Sequence, residues 1–184
     1  MQISLAGAQS TGKTTLLQAL KKVEEFEHYT FVDEVTRKVN KMGLDINNKS
    51  KNYDLTQSLI MNEHIINSFK RNVIVDRGPL DGIVYTRYLY NHGKVSLKTY
   101  DWALEVFDRI KSRYDIFFIT DPSLPIVDDG QRSTDSEFKD EIVELFEHFT
   151  KNYLTNTLLI KGSVNERVKA VLNHINYIQE ISYV

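Results

Sequence analysis

Residues 2–23, QISLAGAQSTGKTTLLQALKKV, place a short β-rich run, a glycine-spaced turn and a helical apolar pattern in immediate succession. Gly7, Gly12, Lys13 and Thr14 satisfy G-x-x-x-x-G-K-[ST], and no other feature restricts the fold as much. The motif needs a strand that ends where backbone N–H groups can turn inward, followed at once by a helix whose positive dipole end faces the same hollow. Both are present: Gln2 to Ala6 read as the strand, and Leu16, Leu17, Leu20 and Val23 mark the helix. Such a hollow accepts a polyphosphate, with Lys13 reaching its terminal groups and the Thr14 hydroxyl holding Mg²⁺.

Further β-rich runs at Thr30 to Val32, Asn72 to Asp76, Asp115 to Thr120 and Thr157 to Ile160 alternate with longer segments of helical period. This alternation predicts an α/β fold, a five-stranded, mainly parallel sheet flanked by helices. The 184 residues fit a single domain spanning 1–184. Three more stripes read as core-facing helices: Leu55, Leu59, Ile66 and Phe69; Tyr100, Ala103, Leu104, Phe107, Ile110 and Tyr114; and Phe138, Ile142, Leu145, Phe146, Phe149 and Tyr153. Ser163 and Glu166 have the spacing of a capping box ahead of Val168, Val171, Leu172 and Ile175. Residues 121–137, DPSLPIVDDGQRSTDSE, are dense in turn formers and charge and predict a loop over the sheet's edge.

Composition removes several classes of function. There is no cysteine, so thiolate metal sites, disulfides and a cysteine nucleophile are excluded. No apolar run approaches the roughly 20 residues a membrane span needs, and no leader peptide is visible after Met1, so a soluble cytoplasmic protein without a membrane partner is expected. A net charge of −2 and a pI near 6.2 disfavour a nucleic-acid-coating protein, although a local basic groove is compatible with them.

Holding a triphosphate does not define a reaction. A guanine-reading N-K-x-D and a D-x-x-G after the third strand are both missing, since NNKS at Asn47 and DRGP at Asp76 do not match. The acidic pair Asp33 and Glu34 ends the second strand as in some ATPases, but the chain is too short for their helical lid domain. The third strand, NVIVDRG, delivers Asp76 and Arg77 to the sheet's carboxyl edge beside the phosphate loop. A carboxylate there can order the waters of Mg²⁺, and the planar guanidinium suits a phosphate or a substrate's reacting end.

With these residues in view, the sequence resembles the P-loop nucleoside and nucleotide kinases. It is most similar to the compact AAA-type kinase family that contains ribosylnicotinamide kinase domains, and more weakly to thymidylate and deoxynucleoside kinases. The likeness spans nearly the whole chain: GAQSTGKTTL, the E-x-x-R of Glu34 to Arg37, DRG at Asp76 followed by Asp81 and Tyr85, and DDGQRS from Asp128.

The resemblance implies ATP as phosphate donor with Mg²⁺, and a nucleoside or nucleoside monophosphate as acceptor. Gly7, Ala8, Gln9, Ser10, Thr11, Gly12, Lys13, Thr14 and Thr15 would bind ATP, with Thr14 and Asp76 on the metal. Glu34 is favoured over Asp33 as the group that orients the acceptor hydroxyl or takes its proton. Arg37, Arg77, Asp81 and Tyr85 are expected at the acceptor, with Tyr85 and Tyr88 as candidates to stack on a base. Arg132 resembles a lid arginine acting with Lys13 and Arg77 on the transferring phosphoryl, and Lys161 to Ser163 would lie near the adenine. Two alternatives stand beside this reading: a kinase for a DNA-borne hydroxyl, and a nucleotide-binding switch that hydrolyses ATP slowly without an acceptor.

Overall fold

A computed structural model describes residues 1–44, 46, 52–123 and 136–182. Its strands are β1 (Gln2–Ala6), β2 (Thr30–Val32), β3 (Val73–Asp76), β4 (Ile116–Thr120) and β5 (Thr157–Ile160). They form one sheet in the order β2-β3-β1-β4-β5, with every pairing parallel. The helices are α1 (Lys13–Leu20), α2 (Val35–Lys41), α3 (Tyr53–Asn67), α4 (Pro79–Asn91), α5 (Leu97–Ile110), α6 (Ser136–Tyr153) and α7 (Val164–Ser182). None of the described helices is long and apolar enough to cross a membrane.

Strand pleating sorts the core into two layers. Ile3, Leu5, Ile74, Ile116, Phe118 and Ile160 face α1 and α7, where Leu16, Leu17, Leu20, Val171 and Ile175 meet them. Ala6, Val73, Val75 and Phe117 point the other way, onto Leu80, Ile83 and Val84 of α4, Ala103 and Phe107 of α5, and Ile142 and Phe149 of α6. From the central β1 the chain passes to β2 and β3 on one side and later to β4 and β5 on the other. The reversal opens a crevice at the strands' carboxyl ends, where ligands of such sheets bind.

The sequence places the strands to within one residue. Asn72 and Asp115 fall just outside, Asn72 because its φ of 46° is left-handed rather than extended. The capping box forms as expected: the Ser163 N–H donates to Glu166 Oε2 at 2.7 Å, and the Glu166 N–H to Ser163 Oγ at 3.4 Å. Two helices escape the apolar stripes. α2 is short, and α4 carries buried Asp81, Gly82 and Thr86 among its apolar residues.

The stripe assigned to α3 needs correction. Leu55, Ile66 and Phe69 are 44%, 55% and 65% exposed, and Leu59 is only partly buried. The buried face is instead Thr56, Gln57, Ile60, Met61, His64 and Asn67. The cause is α4, which offers α3 a partly polar surface: Thr86 Oγ1 donates to Gln57 Oε1 at 3.1 Å. At Gly82 a Cβ would stand 2.6 Å from Met61 Sδ and 2.9 Å from His64 Cδ2, so the missing side chain lets the helices close. Buried without a charged partner, the His64 imidazole is driven down to about 3. Met61→Ala should therefore cost about 2–5 kcal/mol in denaturant unfolding, whereas Ile66→Ala should stay within about 0.5 kcal/mol of wild type.

Candidate active site

The phosphate loop is strained and held from behind. Gly7 has φ 138° and lies so close to β4 that a Cβ would stand 2.5 Å from Thr120 Oγ1. Ser10 and Gly12 are left-handed at φ 60° and 78°, which is uncommon for a serine. Thr11 Oγ1 donates to the Ala8 carbonyl at 2.8 Å and sits 2.5 Å from Thr120 Oγ1. Lys13 Nζ folds over the loop's front, donating to the Gly7 and Ala8 carbonyls at 2.7 and 2.5 Å and to Thr11 Oγ1 at 3.2 Å. Residues 10–15 and Arg77 line a small pocket of about 50 Å³.

Behind this pocket lies a buried charge cluster. At the end of β3 the backbone turns left-handed at Arg77, φ 69°, and its guanidinium is 9% exposed as a residue. Nε lies 2.8 Å from Glu34 Oε1, as a close ion pair rather than an aligned hydrogen bond. Nη1 reaches Asp81 Oδ1 at 3.4 Å and donates to the Tyr85 hydroxyl at 3.2 Å. That hydroxyl in turn donates to Gln9 Oε1 at 3.3 Å, joining the cluster to the phosphate loop. Burial would push the Glu34 carboxyl up, but Arg77 and the hydrogen bond from Thr36 outweigh it and hold the group at about 2. Burial also drives the Asp81 carboxyl up and, with Arg77, the Lys13 amine down, against their mutual attraction.

The expected metal ligands fit Mg²⁺. Thr14 Oγ1 donates to Asp76 Oδ2 at 2.6 Å, and Asp76 Oδ1 is buried without a hydrogen-bond partner. Two hard oxygens beside a phosphate cradle suit an ion that takes its other ligands from phosphate and water.

The structure separates the two acids left open by the sequence. Asp33, with its side chain 66% exposed, pairs with Lys21 at 3.2 Å and points away from the cluster. Glu34, one residue on, turns inward at the start of α2. Arg37 is half exposed, its Nε 3.6 Å from Glu34 Oε2. Tyr85 keeps its place beside Arg77, its ring 5.3 Å from the guanidinium carbon, whereas Tyr88 packs edge-on against Phe138. Lys161 to Ser163 form an exposed turn with Gly162 at φ 89°. Arg132 and most of the 121–137 loop lie outside the described residues. Sequence reading missed Thr120 and Arg167, which hold the loop from β4 and α7. Thr120 is the last residue of a predicted strand, but only the pairing of that strand with β1 shows that it meets the loop.

Against known proteins, the family model described as AAA domain matches residues 2–167. No curated protein matches the chain. Among solved structures, a deoxyadenosine kinase from M. mycoides, with products dCMP and a flexible dCDP bound, aligns at a TM-score of 0.70 and 16% identity over 97% of this chain and 100% of that one. The YorR protein from Bacillus subtilis, in complex with phosphorylated GDP, aligns at 0.62 and 17% identity over 98% of both chains. A NadR protein in complex with NR aligns at 0.68 and 18% identity over 99% of this chain but 51% of its own. The resemblance drawn from the motifs is borne out at the level of family and fold.

The Glu34 pair carries a pH signature. Its carboxyl sits at about 2 in the fold against an ordinary 4.5, so its charged form stabilises the fold above about 4.5. That stability, on the order of 3 kcal/mol, is lost as pH falls towards 2. Glu34→Gln should be less stable than wild type at pH 7, and the gap in denaturant midpoint should close between pH 4.5 and 2. A gap independent of pH would refute the ionised pair.

Proposed function

The chain belongs to the AAA domain family, and from that premise we propose that it transfers the γ-phosphoryl group of ATP to a hydroxyl of a nucleoside or nucleoside monophosphate. The observation that carries this reading is Glu34: a mostly buried carboxylate, held ionised by Arg77 and linked through Tyr85 and Gln9 to the phosphate loop. An ATPase can also carry an acid at this strand end, so the acceptor assay below, and not the carboxylate alone, separates transfer from hydrolysis.

The residues divide the work. In this reading the N–H groups of residues 7–14 and the Lys13 ammonium bind the triphosphate, and Thr14 and Asp76, joined by a hydrogen bond, would hold Mg²⁺. When bound, the ion neutralises charge that develops on the phosphate oxygens. Glu34 is a weak base at about 2, so its main task is to orient the acceptor hydroxyl; it takes the proton as the new P–O bond forms. Arg77 keeps Glu34 in place. Because Glu34 and Asp81 already answer the charge of Arg77, an acceptor phosphate would rest on Arg37, and the geometry favours an uncharged nucleoside. Arg132 would add charge to the transferring group, as the motifs suggest.

Incubation with γ-labelled ATP, Mg²⁺ and a panel of nucleosides, nucleoside monophosphates and oligonucleotides tests this. Label should move to a nucleoside, less readily to a monophosphate and not to an oligonucleotide. Glu34→Gln should lower the rate by about 10²–10⁴-fold and Lys13→Ala by about 10²–10³-fold. Hydrolysis of ATP with no labelled acceptor, unchanged in Glu34→Gln, would overturn the reading.

A further inference from the structure

Arg167, in the first turn of α7, is 3% exposed and faces no carboxylate at hydrogen-bond distance among the described residues. Its Nε donates to the Gly162 carbonyl at 2.9 Å and its Nη1 to the Thr11 carbonyl at 2.7 Å. Asp121 acts on this cation only beyond hydrogen-bond distance, and a buried cation whose hydrogen bonds go to two neutral carbonyls is a costly way to stabilise a fold, which points to a role beyond packing. One contact is five residues away; the other spans 156 and ends in the phosphate loop.

The second contact fixes a peptide plane. In a trans peptide the carbonyl oxygen and the next N–H point in opposite directions, and the chain has no cis bond among the described residues. With the Thr11 carbonyl held by Arg167, the Gly12 N–H is turned away from α7. Thr11 and Gly12 both line the pocket formed by residues 10–15 and Arg77, and Arg167 is not among its walls. The rigid fork of the guanidinium also ties this peptide to the Lys161 to Ser163 turn, which a lysine's single ammonium cannot span in the same way.

We propose that Arg167 is a positioning residue for the phosphate donor: from behind the loop it aims the Gly12 N–H into the phosphate hollow and locks the loop to the turn beside α7. The proposal rests on the reading that the loop binds a triphosphate, and it is independent of the acceptor.

Calorimetric titration of wild type, Arg167→Lys and Arg167→Ala with Mg²⁺ and either a non-hydrolysable ATP analogue or inorganic tripolyphosphate tests it without turnover. Arg167→Ala should bind both ligands about tenfold more weakly, and Arg167→Lys should fall between it and wild type. Thermal melts report the folded fraction, and a merely structural role would lower that fraction while leaving the affinity of the folded molecules unchanged. Tripolyphosphate affinity equal to wild type in folded Arg167→Ala overturns the proposal. If Arg167→Ala does not fold, unchanged tripolyphosphate affinity in Arg167→Lys overturns it instead. A wild type that binds neither ligand also defeats it. A wild type that binds both, weakened as expected by the variants, yet labels no acceptor, defeats the kinase reading alone.

Discussion

The buried cation of Arg77 is the constraint around which the carboxyl edge of the sheet is built. A guanidinium taken out of water is costly unless opposite charge or hydrogen bonds compensate it, and at Arg77 carboxylates do most of that work. Glu34 and Asp81 supply that charge from two different elements. Glu34 is in reach because β2 pairs with β3 through Val32 and Val75, so the two strands end side by side. Asp81 is in reach because α4 starts at Pro79, directly after Gly78 packs against Ser4 of β1 with no room for a Cβ. The left-handed backbone at Arg77, a strain of about 1–3 kcal/mol, turns the side chain back under the edge instead of out to solvent. Since β3 lies next to β1, the same turn sets the cluster beside the phosphate loop.

What the sequence made legible follows from which contacts are local. The phosphate loop is eight contiguous residues whose backbone demands are written in its glycines, and the strands are apolar runs bounded by polar ones. The capping box spans only four residues and could be read for the same reason. The E-x-x-R favours Glu34 over Asp33 without deciding between them, because neighbouring residues at a strand end point to opposite sides and only the partner, Arg77 or Lys21, shows which side is inside. α3 misled for a related reason. Apolar periodicity locates a helix, but here the inner face meets the partly polar α4 and the outer face keeps Leu55, Ile66 and Phe69. Arg167 left no local trace at all, since its partner in the phosphate loop is 156 residues away.

Seen from its contacts, the loop is braced from behind by the fold. Gly7 and Gly12 take positive φ without cost, but Ser10 at φ 60° is a strain that persists only where the surroundings over-determine it. Thr120 crowds Gly7 and touches Thr11, and Arg167 takes the Thr11 carbonyl, so side chains from β4 and α7 hold the rear wall. The front is different. Lys13 spends its three donors on the Gly7 and Ala8 carbonyls and Thr11 Oγ1, which are partners the loop itself provides. Burial and the neighbouring Arg77 lower the Lys13 amine against its ordinary basicity. Under the proposed reading, the negative charge of a bound phosphate would offset that desolvation, and a rear wall held by Thr120 and Arg167 would spare part of the cost of ordering the loop.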